Sequence, residues 1–352
     1  MFLALKEIKH EKMRYGLIVF MIFLVAYLIF AVWSMAYGLA RENTVAIEDW
    51  KVKSVVLNEN SNLSMNSSYL TKTDVKNAKL SDKEAYVGEL QTVVKKKNRP
   101  GLNAQYMGVK RNEFIYKSQK LVNGRKAKTE YEITADTRFR DKGYKLGDKV
   151  TLNGSDHRYK IVGFVKDAKI NIEPIIYGSL SMWKTLKNAA PNVIASGIFS
   201  KRNFKINAKN VKTYKIDKFI QKLPGYSEQN MSFEMMIAFM FIISLIIVAV
   251  FLYILTIQKL PNYAVLRVQG IPAKTLINAT ISQGLILVVA GVILALIVMQ
   301  ITVSVMPPTV PMEFTPKIML SGSLGMLIMG LIGGLAPIRT ILKIDPVVAI
   351  GG

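Results

Sequence analysis

Tyr15 to Ala40 reads YGLIVFMIFLVAYLIFAVWSMAYGLA and contains no formal charge. At about 1.5 Å of rise per residue, a helix of that length exceeds the roughly 30 Å apolar layer of a bilayer. It is too long and too aromatic for a cleaved signal peptide, so it is expected to remain as a first transmembrane helix. Three later runs share its character: Met235 to Ile257, Leu276 to Val303 and Ile318 to Ile338. Covering every face of four such segments would take a very large soluble core. In lipid the backbone must satisfy its own hydrogen bonds, so each run is expected to be helical.

Charge gathers between the first run and the second. Residues 41–234 carry 37 of the 47 Lys and Arg and 20 of the 24 Asp and Glu. That segregation predicts a polytopic α-helical membrane protein with four transmembrane helices and one inserted, water-exposed α+β domain. The net charge is +23, but its cations are dispersed and no compact aromatic platform alternates with them. A solvated basic face with no specific ligand is the plainest reading, attraction to an anionic membrane surface or an acidic solute is the functional one, and no nucleic-acid partner is expected. The chain has no cysteine, which excludes disulfides and thiolate metal sites. His10 and His157 are its two histidines, so a multi-histidine centre is unavailable and no metal site is expected.

The short flanks give a direction. Lys6, Lys9, Lys12 and Arg14 precede the first run, Lys259, Arg267 and Lys274 lie between the second and third, and Arg339 and Lys343 follow the fourth. The loop between the third and fourth has one base, Lys317, beside Glu313. The positive-inside rule therefore places both termini in the cytoplasm and 41–234 outside it, since long translocated domains largely escape the rule. The order expected is a cytoplasmic segment 1–14, helix 15–40, extracytoplasmic domain 41–234 and helix 235–257. A cytoplasmic connector 258–275, helix 276–303, outer loop 304–317, helix 318–338 and cytoplasmic tail 339–352 follow. The prolines of MPPTVP, Met306 to Pro311, cannot continue a helical ladder. Gly322, Gly325, Gly330, Gly333 and Gly334 allow close helix contact. In the connector, Leu266, Val268 and Ile271 offer apolar contact among polar neighbours, and Pro272 sits where a helix can restart.

Within 41–234, DKVTLNGSDHRYKIVGFV (Asp148 to Val165) predicts a hairpin: Val150 and Leu152 alternate with polar residues, and Asn153-Gly154 starts a turn. Tyr131 to Thr137 predicts a strand, and Asn58 to Ser68 a loop. Ile216, Phe219, Ile220 and Leu223 recur at helical spacing, with Asp217 as a candidate cap. There is no phosphate-binding glycine loop with its lysine, no metal-spaced histidine pair and no nucleophile–base pair. No catalytic residue, no intrinsic cofactor and no ATPase activity of the chain's own are expected.

A long N-terminal helix, an outer domain and three clustered helices resemble the permeases of macrolide-exporter-like (FtsX-like) ABC systems. QKLPNYAVLRVQGIPAKTL, Gln258 to Leu276, is similar to that family's cytoplasmic connector through Val265, Leu266, Arg267 and Gly270, although Pro261 and Asn262 replace its usual acidic character. KIDPVVAIGG resembles the family's closing motif through Asp345, Pro346, Ala349 and Ile350, and YKLGDKVTLNGSDHRYKIVGFV resembles an element of its outer domains. A narrower resemblance, to the permeases of bacterial haem exporters, rests on MFLALKEIKHEKMRY, GLARENT, LTIQKLPNYAVLRVQGI, MPPTVPMEFT and DPVVAIGG in that order.

The resemblance implies a bacterial plasma-membrane protein that works as a dimer with a second copy of itself and with two copies of a cytoplasmic ABC ATPase, which binds the ATP. Haem would be the cargo, entering laterally among membrane lipids. Leu266, Arg267, Val268, Gly270 and Ile271 would couple to the ATPase. Met and Tyr can ligate haem iron, which makes Met35 and Tyr37, near the outer end of the first helix, candidates for contacting the cargo. Glu42 is a candidate carboxylate at the membrane edge, and Arg41 could pair with it or meet a haem propionate. Export of another amphipathic substrate (lipid, peptide or antibiotic) and non-transport mechanical signalling to an outer partner are the alternative readings.

Overall fold

The structure, a computed structural model, describes residues 11–342 except Asn77, Lys79, Asn207, Pro308 and Thr309. Lys6, Lys9, His10, Lys343, Asp345, Pro346, Ala349 and Ile350, all used above, lie outside the described residues. The chain opens with α1 (Lys12–Trp50), β1 (Ser54–Asn58), β2 (Leu70–Thr71), β3 (Glu84–Lys95) and β4 (Leu102–Val109). Next come α2 (Phe114–Lys117), β5 (Leu121–Gly124), β6 (Glu132–Asp136), α3 (Thr137–Asp141), β7 (Lys149–Leu152), β8 (Tyr159–Val165), β9 (Lys169–Ile170) and β10 (Glu173–Ser179). They are followed by α4 (Leu180–Leu186), β11 (Val193–Ala195), β12 (Gly197–Ser200), β13 (Val211–Lys215) and α5 (Ile216–Gln221). The chain ends in α6 (Tyr226–Val268), α7 (Ala273–Val305), α8 (Pro316–Gly333) and α9 (Ile338–Leu342). Two units result: Leu39–Gln229, and the chain on either side of it.

The helical unit contains four stretches long and apolar enough to cross a membrane, beginning at Lys12, Tyr226, Ala273 and Pro316. Its core joins Ile22, Ile29 and Phe30 of α1 with Leu252 of α6, Val288 of α7 and Met326 of α8. Glycine permits that approach. A methyl group on Gly322 would lie 2.5 Å from the Phe30 ring, and one on Gly330 would lie 2.8 Å from Val288. Phe20, Leu24 and Leu28 of α1 and Ile242, Ile246 and Val250 of α6 are exposed, as side chains facing lipid are. The protein is a multi-pass membrane protein.

Two helices outrun the apolar segments that announced them. Residues 41–50, expected in the α+β domain, complete α1. Nothing in Arg41-Glu42-Asn43 stops a helix, and the continuation buries Ala46, Ile47 and Trp50 in the sheet domain's core. Residues 258–268, expected in the connector, belong to α6, which passes through Pro261. The proline removes one hydrogen-bond donor from the ladder. Only 269–272 separate α6 from α7.

In the sheet domain eleven of the described strands form one sheet whose main path runs β13-β1-β12-β3-β4-β10-β6-β8-β5, while β2 and β11 pair with each other in a separate two-stranded sheet. The β4/β10 and β6/β8 pairs are parallel. β7 pairs with β3 through Val94–Leu152 and with β8 through Val150–Tyr159, so the pairings β3-β4-β10-β6-β8-β7 close into a ring. Tyr106, Ile133, Phe139, Tyr159, Ile176 and Trp183 fill one core cluster. Trp183 reaches the sheet because a Cβ at Gly88 would stand 2.2 Å from its ring, and its indole N–H donates to the Glu89 carbonyl at 2.9 Å.

The expected β7–β8 hairpin is present. Asn153 (φ 49°) and Gly154 (φ 71°) occupy the left-handed region, and Ser155 N–H donates to the Leu152 carbonyl at 2.9 Å, a turn that Asn-Gly favours. Tyr131 to Thr137 contains β6, and Asn58 to Ser68 is irregular apart from one short helical turn at Glu59–Ser61. Asp217 does not cap α5. Lys215 holds the cap position and Asp217 lies in the first turn, where its charge still complements the helix N-terminus.

Candidate functional site

The connector is a helix terminus built to a specific stop. Gly270 has φ of 88°, its N–H donates to the Arg267 carbonyl at 3.0 Å, and Ile271 N–H donates to the Leu266 carbonyl at 3.1 Å. This is the Schellman arrangement, in which a left-handed glycine lets two amides fold back on the last turn. Its apolar contact is supplied by Leu266 and Ile271, which pack on a small cluster of Tyr263, Leu276 and Ile341. Leu266 and Ile271 therefore serve the cap as half-buried residues, whereas Val268 is 45% exposed. Arg267 is half-buried, and its Nε has no acceptor among the described residues. Beside the cap, Leu266, Ile271, Thr275, Asn278, Ala279 and Ser282 line a hollow of about 290 Å³.

One turn before the cap begins a buried polar chain that the sequence reading did not single out. Tyr263 of α6 shares a 3.1 Å hydrogen bond with Thr280 of α7. Lys259, 8% exposed, donates from Nζ to Gln283 Oε1 at 3.1 Å. Gln283 Nε2 donates to the Tyr15 hydroxyl of α1 at 2.6 Å, and the Lys259 ammonium lies 5.5 Å from the Tyr15 ring. A cation among apolar helices is costly unless partnered, so such residues mark working parts of membrane proteins. The signal was present: Thr256, Lys259 and Tyr263 recur at spacings of three and four, one face of α6.

The four cargo candidates all lie on α1, and helical geometry separates them into two pairs. At about 100° per residue, Met35 and Glu42 fall within about 20° of each other, while Tyr37 and Arg41 share a roughly opposite face. Met35 and Tyr37 are exposed; Arg41 and Glu42 are half-buried. Glu42 forms an ion pair with Lys169 at the start of β9. The turn beyond Glu42 is fixed in the sheet domain by the Asn171 N–H, which donates to the Asn43 carbonyl at 3.1 Å. In the helical unit, a third face of α1 is covered by the segment before α8. Glu313 N–H donates to the Ser34 carbonyl at 3.2 Å. A methyl on Gly38 would lie 2.1 Å from the Pro311 oxygen, so position 38 tolerates no side chain there.

The helical unit thus has a long first helix and a capped connector between two later spans, and the sheet domain is inserted after that first helix. The FtsX-like permease C-terminal family matches residues 234–346. The chain is 30% identical over 355 aligned positions to a protein of Staphylococcus haemolyticus that carries the provisional name hemin transport system permease protein HrtB, covering 99% of each chain. It is 28% identical, again over 99% of each chain, to a like-named protein of Staphylococcus epidermidis. The chain belongs to the FtsX-like permease family. Among solved structures, the periplasmic region of MacB from Actinobacillus actinomycetemcomitans covers 50% of this chain and 96% of its own at 15% identity, TM-score 0.36. The extracellular domain of the ABC-type transporter YknZ covers 45% and 83% at 13% identity, TM-score 0.32.

Proposed function

We propose that this permease is one half of a haem exporter, working as a dimer with a separate ABC ATPase that supplies the energy. The observation that carries the reading is the end-to-end likeness to hemin transport permeases, which spans all four apolar stretches and the sheet domain alike. The charge asymmetry of the short flanks puts the connector on the ATPase side of the membrane and the sheet domain on the other.

In this reading the ATPase docks at the connector, where exposed Val268, the half-buried Arg267 with an unanswered Nε, and the hollow beside Leu266 and Ile271 supply contact. The Schellman cap keeps the terminus of α6 from fraying, so displacement of the connector moves the helix. Tyr263–Thr280 and Lys259–Gln283–Tyr15 link α6 to α7 and α1, and motion reaches α1 through them. The cargo is met along α1. Met35 offers a thioether to haem iron and Arg41 a guanidinium to a propionate, with the two faces of the helix addressing cargo from different copies in the dimer.

The test is the permease purified with its ATPase in lipid nanodiscs and titrated with haem. The reading predicts a saturable shift of the haem absorption band together with stimulated ATP hydrolysis. A featureless haem spectrum combined with stimulation by a lipid, peptide or antibiotic would transfer the assignment to that cargo. Coupling without any cargo would favour mechanical signalling.

A further inference from the structure

The sheet domain contains a pocket of about 860 Å³, within the range of small-molecule sites, that the export scheme above does not use. It opens where the parallel strands β4 and β10 end together, at Gly108–Gly178 and Val109–Ser179. Val75, Val109, Leu180 and Ile194 give it apolar walls. Lys72, Lys110, Arg111, Lys128 and Lys184 also line it, against one acid, Glu130. That acid is engaged, because its Oε1 accepts a hydrogen bond from Ser181. Arg111 donates to the Lys128 carbonyl at 2.8 Å, and Lys110 sits 4.0 Å from the centroid of the Tyr86 ring. Among the described residues no carboxylate pairs with Lys72, Lys128 or Lys184.

Lys110 is paired with Glu113, its Nζ 3.8 Å from the carboxylate, but Lys72, Lys128 and Lys184 with Arg111 still form a cluster of like charge that a shared anion would relieve. A second observation is independent of charge. Gln119 lines the pocket and is 8% exposed. Its Oε1 accepts from the Thr134 hydroxyl at 3.0 Å, while its Nε2 is buried with no acceptor. A buried amide donor without a partner is costly, and a ligand oxygen would satisfy it. Apolar walls alone would suit a neutral body, and lysines alone a bare anion; together they select a molecule that is both.

We propose that this pocket binds an amphipathic organic anion, its acidic group held by the lysines and Gln119 and its apolar body against Val109, Leu180 and Ile194. The proposal does not depend on haem being the exported cargo. The full-length protein in amphipol, titrated with 1-pyrenebutyrate and followed by fluorescence anisotropy, tests it. Lys110→Glu and Lys184→Glu should each weaken binding tenfold or more. Lys212→Glu, on β13 at the far end of the sheet path, should leave binding unchanged, and uncharged pyrenebutanol should bind weakly and ignore all three variants. Near-ultraviolet circular dichroism establishes that each variant is folded. Equal affinity of all variants for pyrenebutyrate would overturn the proposal. So would equally tight binding of pyrenebutanol, or displacement of pyrenebutyrate by equimolar inorganic phosphate.

Discussion

At Glu84, burial alone would push the carboxyl upward, but hydrogen bonds from Arg202, Ser81 and Ser200 outweigh it and hold the group at about 2. Arg202 Nε stands 2.8 Å from the carboxylate. The folded value lies below the ordinary 4.5, so this site's stabilisation is complete above that pH and is lost as pH falls from 4.5 toward 2. Glu84→Gln should therefore lower the melting temperature of the full chain at neutral pH, with the deficit shrinking as pH falls from 4.5 toward 2, as read by near-ultraviolet circular dichroism. Asp136 has the opposite sign. Burial pushes it from the ordinary 3.8 to about 6, so the fold loses stability as pH rises from 3.8 to about 6, and the loss levels off above that. Glu42 requires a paired test, because its ion pair with Lys169 offers a structural explanation for any loss. If Glu42 meets cargo, Glu42→Ala should abolish haem resistance in cells whereas Lys169→Met, which removes the same ion pair, should retain most of it. Equal loss in both would reduce Glu42 to a structural role.

The connector shows what an element adds to its residues. Gly270→Val forces a β-branched side chain into a φ of 88°, at a cost of about 1–2 kcal/mol, and should release the cap. Co-purification with the ATPase should fall while assembly of the helices persists. Gln283→Leu removes the hydrogen bonds to Lys259 and Tyr15 together. A loss of about 1–3 kcal/mol in stability is expected, with cargo-stimulated hydrolysis reduced more than basal hydrolysis in the purified complex. The β7–β8 hairpin was legible because its alternation and its Asn-Gly turn are local. The ends of α1 and α6 were not. Charge marks where lipid ends, but a helix continues past that point if its next turn can be buried, and Ala46, Ile47 and Trp50 are. The ring closed by β7 and the Glu42–Lys169 pair join residues far apart in sequence, which periodicity cannot report.

For the whole molecule, the spans and the inserted α+β domain followed from the distribution of charge, whereas the connector's inner contacts and the split of Met35 and Glu42 from Tyr37 and Arg41 required the helix itself. Every functional assignment rests on which side of the membrane each part occupies. The absence of cysteine makes that directly measurable, since a single introduced thiol is the one labelled. Lys160→Cys in the sheet domain and Lys274→Cys beside the connector are both at exposed positions. In intact cells, a membrane-impermeant maleimide should label Lys160→Cys and should reach Lys274→Cys only after the membrane is opened. Labelling of the connector thiol from outside, with the sheet-domain thiol protected until lysis, would contradict the account.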